Sequence, residues 1–122
     1  MTECRLFLGP VFLLWVVAAW SVGALAVEPQ VDAEIQQLLD RVGESGCDFE
    51  RNGTRHNSRD AASHLTLKYD RGARYVETAE DFIDRLASES SWSGKPYWVI
   101  CDDERAVSGE WLHKLLVDMR TL

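Results

Sequence analysis

The chain is short of basic residues, of cysteine and of histidine, and each shortage closes off a class of function. Lys and Arg number 13 against 20 Asp and Glu, a formal net charge of −7. Nucleic acid and anionic membrane surfaces both select for an excess of cations, so neither is expected as the main partner. The three histidines, His56, His64 and His113, show no H-x-x-x-H or comparable ligand spacing. Asp102-Asp103-Glu104 lacks the spaced oxygens and the glycine of a calcium loop and reads as a solvated charge run. The string S-W-S-G-K-P lacks the first glycine of a phosphate loop, Glu89 standing there, and has Pro96 where magnesium needs a hydroxyl. No metal and no cofactor is therefore expected. Repeats, heptads and low-complexity tracts are missing too, and 122 residues suffice for one domain.

What is present is uneven. From Leu6 to Ala26 the chain carries no charge and a single proline. Arg5 precedes that run, and Ala24-Leu25-Ala26 closes it with the small-x-small pattern a signal peptidase reads. We read residues 1–26 as a cleavable signal peptide and 27–122 as one small domain. The rival is an uncleaved anchor, because the run is long enough to span a bilayer. No cysteine stands at the junction to accept a lipid. With the leader removed, no membrane span is expected. Cys4 leaves with it, so Cys47 and Cys101 remain, and an exported pair usually forms one disulfide. The alternative is two free thiols in the core.

Along the remainder, Val31, Ile35, Leu38, Leu39 and Val42 make one face of a first helix. Cys47, Phe49 and Arg51 alternate with Asp48 and Glu50 as a short strand, closed by the turn signal Asn52-Gly53. A second helix runs from Ser58, its expected N-cap, with Ala61, Ala62, Leu65 and Tyr69 inward and Asp60, His64 and Lys68 on another stripe. Thr78 caps a third, with Ala79, Phe82, Ile83, Leu86 and Ala87 buried. Tyr97 to Cys101 is a second strand, and Trp111, Leu112, Leu115, Leu116 and Met119 face inward from a last helix. The order α-β-α-α-β-α predicts an α+β fold, a two-stranded antiparallel sheet with helices on one face. The expected register sets Cys47 against Cys101, Phe49 against Val99 and Arg51 against Tyr97. Trp98 and Ile100 then lie on the uncovered face as a candidate partner surface, unless the first helix or the Trp92 loop folds over them.

Four ordered strings, C-D-F-E-R-N-G from Cys47, A-A-S-H-L-T-L-K from Ala61, T-A-E-D-F-I from Thr78 and S-S-W-S-G-K-P-Y-W-V from Ser90, resemble the bacterial domain-of-unknown-function family 5329. The resemblance covers nearly all of the chain after the leader. It implies a small exported protein of the periplasm and carries over no reaction, ligand or catalytic residue.

Three sets of side chains are worth placing. Asp60 stands one turn before His64, the geometry that orients an imidazole for acid/base work, although no serine or cysteine nucleophile is tied to it. The plainer reading is a solvated helix network. Ser93 and Lys95 of the loop Ser90–Pro96 offer donors to an anionic or sugar ligand; the plainer reading is a tight connection into the second strand. Arg51, on the dry strand face, either binds an anion or ties the structure to a carboxylate or carbonyl. The expectation is a non-enzymatic periplasmic binding domain for a protein or a small ligand. The alternative is a small hydrolase or transferase using His64 with Asp60 or Arg51.

Overall fold

The computed structural model describes Gly9 and residues 27–122; the expected leader, apart from Gly9, lies outside the described residues. Helix α1, Pro29–Glu44, starts on a proline at a position where no backbone N–H is needed. It buries Ile35, Leu38, Leu39 and Val42 and ends where Ser45 donates to the Val42 carbonyl and Gly46 takes φ +69°. Among the described residues no helix is long and apolar enough to cross a membrane.

The fold is α+β, but the sheet has four strands, not two, all antiparallel in the order β2-β1-β3-β4. These are β1, Asp48–Arg51; β2, Thr54–His56; β3, Trp98–Cys101; and β4, Glu104–Val107. Both added strands come from hairpins. Asn52 and Gly53 take φ 50° and 79°, the left-handed pair of a two-residue turn, and the chain returns as Thr-Arg-His. Asp102 and Asp103 take φ 49° and 65° and do the same between β3 and β4. Asp102 and Asp103 of the acidic run therefore make a turn, and Glu104 opens β4; aspartate tolerates this conformation better than most residues. Periodicity does not mark the edge strands because β2 is mostly exposed and β4 joins two exposed charged residues to half-buried Ala106 and Val107, so neither carries an apolar alternation.

The central register is the expected one. Phe49 pairs with Val99, Asp48 with Ile100 and Glu50 with Trp98. One step further out Cys47 and Cys101 form a disulfide, their Cα atoms 4.7 Å apart. The inner sheet face presents Cys47, Phe49, Tyr97 and Val99 to the core, and Phe49 meets Trp111 edge-on at 5.7 Å. On the outer face Arg105 stacks 4.2 Å from the centre of the Trp98 ring and pairs with Glu50, Arg55 reaches Asp48 at 3.3 Å, and Lys95 and Pro96 of the Trp92 loop border Trp98 across a shallow cleft. Trp98 and Ile100 are half-buried there.

Helix α2, Ser58–Gly72, is capped by Asn57, whose side chain accepts from the Asp60 N–H at 2.9 Å, rather than by Ser58. Ser58 is buried and donates its hydroxyl to the Gly43 carbonyl at the end of α1, a group with no partner in its own helix. A 3₁₀ turn, Ala73–Tyr75, leads to α3, Ala79–Phe82, which Thr78 caps through the Asp81 N–H. The helix widens into a π-turn, Ile83–Ala87. Helix α4, Ser108–Arg120, is anchored by Ser108: its N–H reaches the Tyr97 carbonyl and its hydroxyl the Ala87 carbonyl. All four helices share one core around Phe82, Ile35, Leu38, Ile83, Leu112 and Leu116.

Candidate functional site

Three elements, β1, the entry to β3 and α2, bring four polar side chains to one place. Arg51 is the last residue of β1, and Tyr97 precedes β3 directly across from it. His64 and Lys68, one helical turn apart on α2, look down on both. Arg51 Nη1 lies 2.6 Å from His64 Nδ1, and His64 Nε2 lies 3.3 Å from the Tyr97 hydroxyl. Lys68 Nζ donates to the same hydroxyl at 3.1 Å and to the Glu89 carbonyl at 2.9 Å.

These contacts fix the protons. A guanidinium can only donate, so His64 Nδ1 is the acceptor and the ring proton sits on Nε2. That proton points at the Tyr97 oxygen, which also receives Lys68. With both acceptor positions of the phenol filled, its own hydroxyl proton is free to donate elsewhere. Burial first, then the charges of Arg51, Lys68 and His56, lowers the His64 pKa from the ordinary 6.5 to about 4. Burial likewise raises that of Tyr97, opposed by Arg51 and helped by Glu89, and lowers that of Lys68, helped by Arg51 and opposed by Glu89. At neutral pH the imidazole and the phenol are both neutral, and Arg51 supplies permanent charge.

Arg51 and His64 form a wall between two cavities. The smaller, about 260 Å³, lies under the first hairpin and touches Phe49, His56, Asp60 and Leu65. The larger, about 500 Å³, opens between α2 and the Ser90–Trp92 segment, with Lys68, Arg71, Tyr75, Leu86 and Trp92 around it. Among the described residues neither Arg51, Lys68 nor Arg71 meets a carboxylate within salt-bridge distance; the arginines that do are Arg55, Arg85, Arg105 and Arg120.

The sequence candidates scatter. Arg51 and His64 come together. Asp60 lines the smaller cavity with His64 but is not its hydrogen-bond partner, because Arg51 and Tyr97 occupy both ring nitrogens. Lys95 lines a third cleft, with Glu50, Trp98 and Arg105, and not the one holding Arg51. Ser93 is committed to structure: it donates to Asn52 Oδ1 at 2.6 Å and receives the Lys95 N–H. Ser90 Oγ receives the N–H groups of Trp92 and Ser93 and the Asn52 amide, so the whole loop is a knitted turn docked on the first hairpin. The site residues that sequence reasoning missed are Tyr97, Arg71 and Trp92. The Arg51–Tyr97 register together with the His64–Lys68 stripe held the signal for Tyr97; nothing local marked the other two. Among the described residues no cluster of His, Cys, Asp and Glu can hold a metal ion.

No solved structure matches the chain. It is 39% identical over 87 residues to a protein of Salmonella typhimurium described as "Uncharacterized protein YfeK", covering 71% of this chain and 70% of that one. Residues 29–120, from the first residue of α1 to the last of α4, match the family of unknown function DUF5329, and the chain belongs to that family.

Proposed function

We propose that this is an exported, periplasmic binding module that takes a small anion in the cleft between α2 and the Ser90–Trp92 segment. One observation carries the reading. In a chain of net charge −7, Arg51, Lys68 and Arg71 line a single cleft whose lining holds no carboxylate; Glu89 acts on Lys68 only from beyond salt-bridge distance, and no described carboxylate pairs with either arginine. An uncompensated, partly buried guanidinium is costly unless a counter-charge is supplied, and a bound anion supplies it. The donors are preorganised: His64 and Tyr97 hold Arg51 and Lys68 in place through bonds made without the ligand.

The hydrolase or transferase alternative has less support. A general base needs a free nitrogen, and both nitrogens of His64 are occupied by Arg51 and Tyr97. Recognition of a protein at Trp98 and Ile100 is also less favoured, because Arg105 already stacks on Trp98 and pairs with Glu50. Calorimetric titration with inorganic phosphate and with acetate, at low ionic strength, tests the proposal. At least one should bind, and Lys68→Met should weaken it about tenfold, the usual loss for a charged hydrogen bond. Absence of binding by either anion would sink the reading. Export is checked separately by sequencing the amino terminus of protein from a periplasmic extract, which should begin at Val27.

A further inference from the structure

We propose that the anion this cleft takes is an aryl oxyanion, a planar aromatic ring carrying a carboxylate or a phosphate, with its ring held by Trp92; the inference rests on the anion-binding reading above. Trp92 is 91% exposed, although tryptophan is usually well buried. Its backbone is nonetheless fixed, since its N–H donates to the buried Ser90 hydroxyl and the turn is closed by Ser90–Lys95 and Gly94–Ser90 backbone bonds. An exposed indole at the rim of a cleft, on backbone already fixed, offers a flat stacking surface with only two side-chain torsions left to order on binding. Tyr75, 51% exposed, also lines the cleft, and Leu86 adds to its apolar wall.

The polar end lies among Arg51, Lys68 and Tyr97. Arg51 has guanidinium N–H groups beyond the one that meets His64, Lys68 has an ammonium N–H beyond those on Glu89 and Tyr97, and the Tyr97 hydroxyl proton is uncommitted. These donors suit an oxyanion head, and the apolar wall suits a flat ring rather than a polyhydroxylated one. Carboxylate and phosphate heads share this chemistry.

The full exported chain should be titrated by calorimetry with 2-naphthoate and 2-naphthyl phosphate, and in parallel with acetate, inorganic phosphate and uncharged 2-naphthamide. We expect the naphthyl acid with the better head to bind about tenfold tighter than its ring-less counterpart, and the two heads to rank the carboxylate against the phosphate source. Trp92→Ala should lower that affinity about three- to tenfold, the range for an aromatic pair, and leave ring-less anions unaffected. Trp92→Phe should restore most of it. Ring-less anions binding as tightly as the naphthyl acids, or Trp92→Ala without effect, would overturn the ring inference and leave the anion site standing. Naphthamide binding as tightly as naphthoate would overturn the aryl-oxyanion inference, and no anion binding at all would overturn both.

Discussion

His64 is a histidine with no vacancy. Arg51 occupies one nitrogen and Tyr97 the other, and burial beside two cations lowers its pKa to about 4. The unfolded chain takes up a proton near 6.5 that the folded chain refuses until about pH 4. The unfolded state therefore binds more protons between those values, and acid favours it. The contribution of His64 to stability is complete above about pH 6.5 and is lost as the pH falls through the window down to about 4. Urea midpoints of wild type and His64→Gln, measured from pH 7.5 to 4.5, should diverge at the neutral end and converge on acidification. A constant difference across that range would mean that the histidine does not titrate with folding. Lys68→Met is the complementary change: it leaves Tyr97 its hydrogen bond from His64, so stability should move by less than about 1 kcal/mol while anion binding falls.

At the scale of elements, two short turns and one cap decide how the site is built. Asn57 caps α2 through the Asp60 N–H. Asn57→Ala should cost about 1 kcal/mol of stability, read as a shift of the urea midpoint at unchanged slope. Ser58→Ala tests the other candidate: it should leave α2 capped but orphan the Gly43 carbonyl on α1. In the second hairpin Asp103 holds φ 65°. A β-branched side chain there meets the steric cost of left-handed backbone, so Asp103→Val should lower stability by about 1–2 kcal/mol. An effect within experimental error would mean that the turn relaxes and β4 is not locked by it. The loop Ser90–Pro96 belongs here too, since its serines hold one another and the first hairpin rather than a ligand.

Over the whole molecule, the Cys47–Cys101 bridge closes a loop of sequence separation 54 and joins β1 to β3 at the end away from Arg51. Removing such a bridge from a small exported domain costs about 2–5 kcal/mol, so Cys47→Ser with Cys101→Ser should lower the Tm by roughly 10 °C or more. Calorimetric melting checks this, and a Tm unchanged in the double variant would contradict it. Helix packing is fastened separately. Arg120 reaches Glu34 on α1 at 2.6 Å and also pairs with Glu80 on α3; the Arg120 hydrogen bond, helped by a backbone one, holds the carboxyl of Glu80 below its ordinary range. Both partners are well exposed, so this link contributes little to stability.

The amino-acid sequence on its own carries the helices, most of their buried faces and the central pairing, and it favours the disulfide over two free thiols, because apolar periodicity and cysteine count are local and survive without neighbours. It determined the Asn52-Gly53 turn as well, yet not that Thr54–His56 returns as a strand. An edge strand exposed on both faces has no hydrophobic pattern to read, and only hydrogen bonding to β1 makes it a strand. Glu104–Val107 behind its aspartate turn is also an edge strand without apolar alternation, and hydrogen bonding to β3 makes it one. Arg51 and His64 were each legible as functional candidates, whereas Asp60 as the partner of His64 was a misreading of helical spacing. The tertiary structure decided otherwise, because a hydrogen bond goes to the donor that arrives, and Arg51 and Tyr97 arrive from the sheet. It also separated Lys95 from Arg51 and brought Lys68, Arg71 and Trp92 to one cleft. Arg51, the two cations of α2 and Trp92 are far apart along the chain, and only the packing of α2 against the sheet and its neighbouring loop makes them a site.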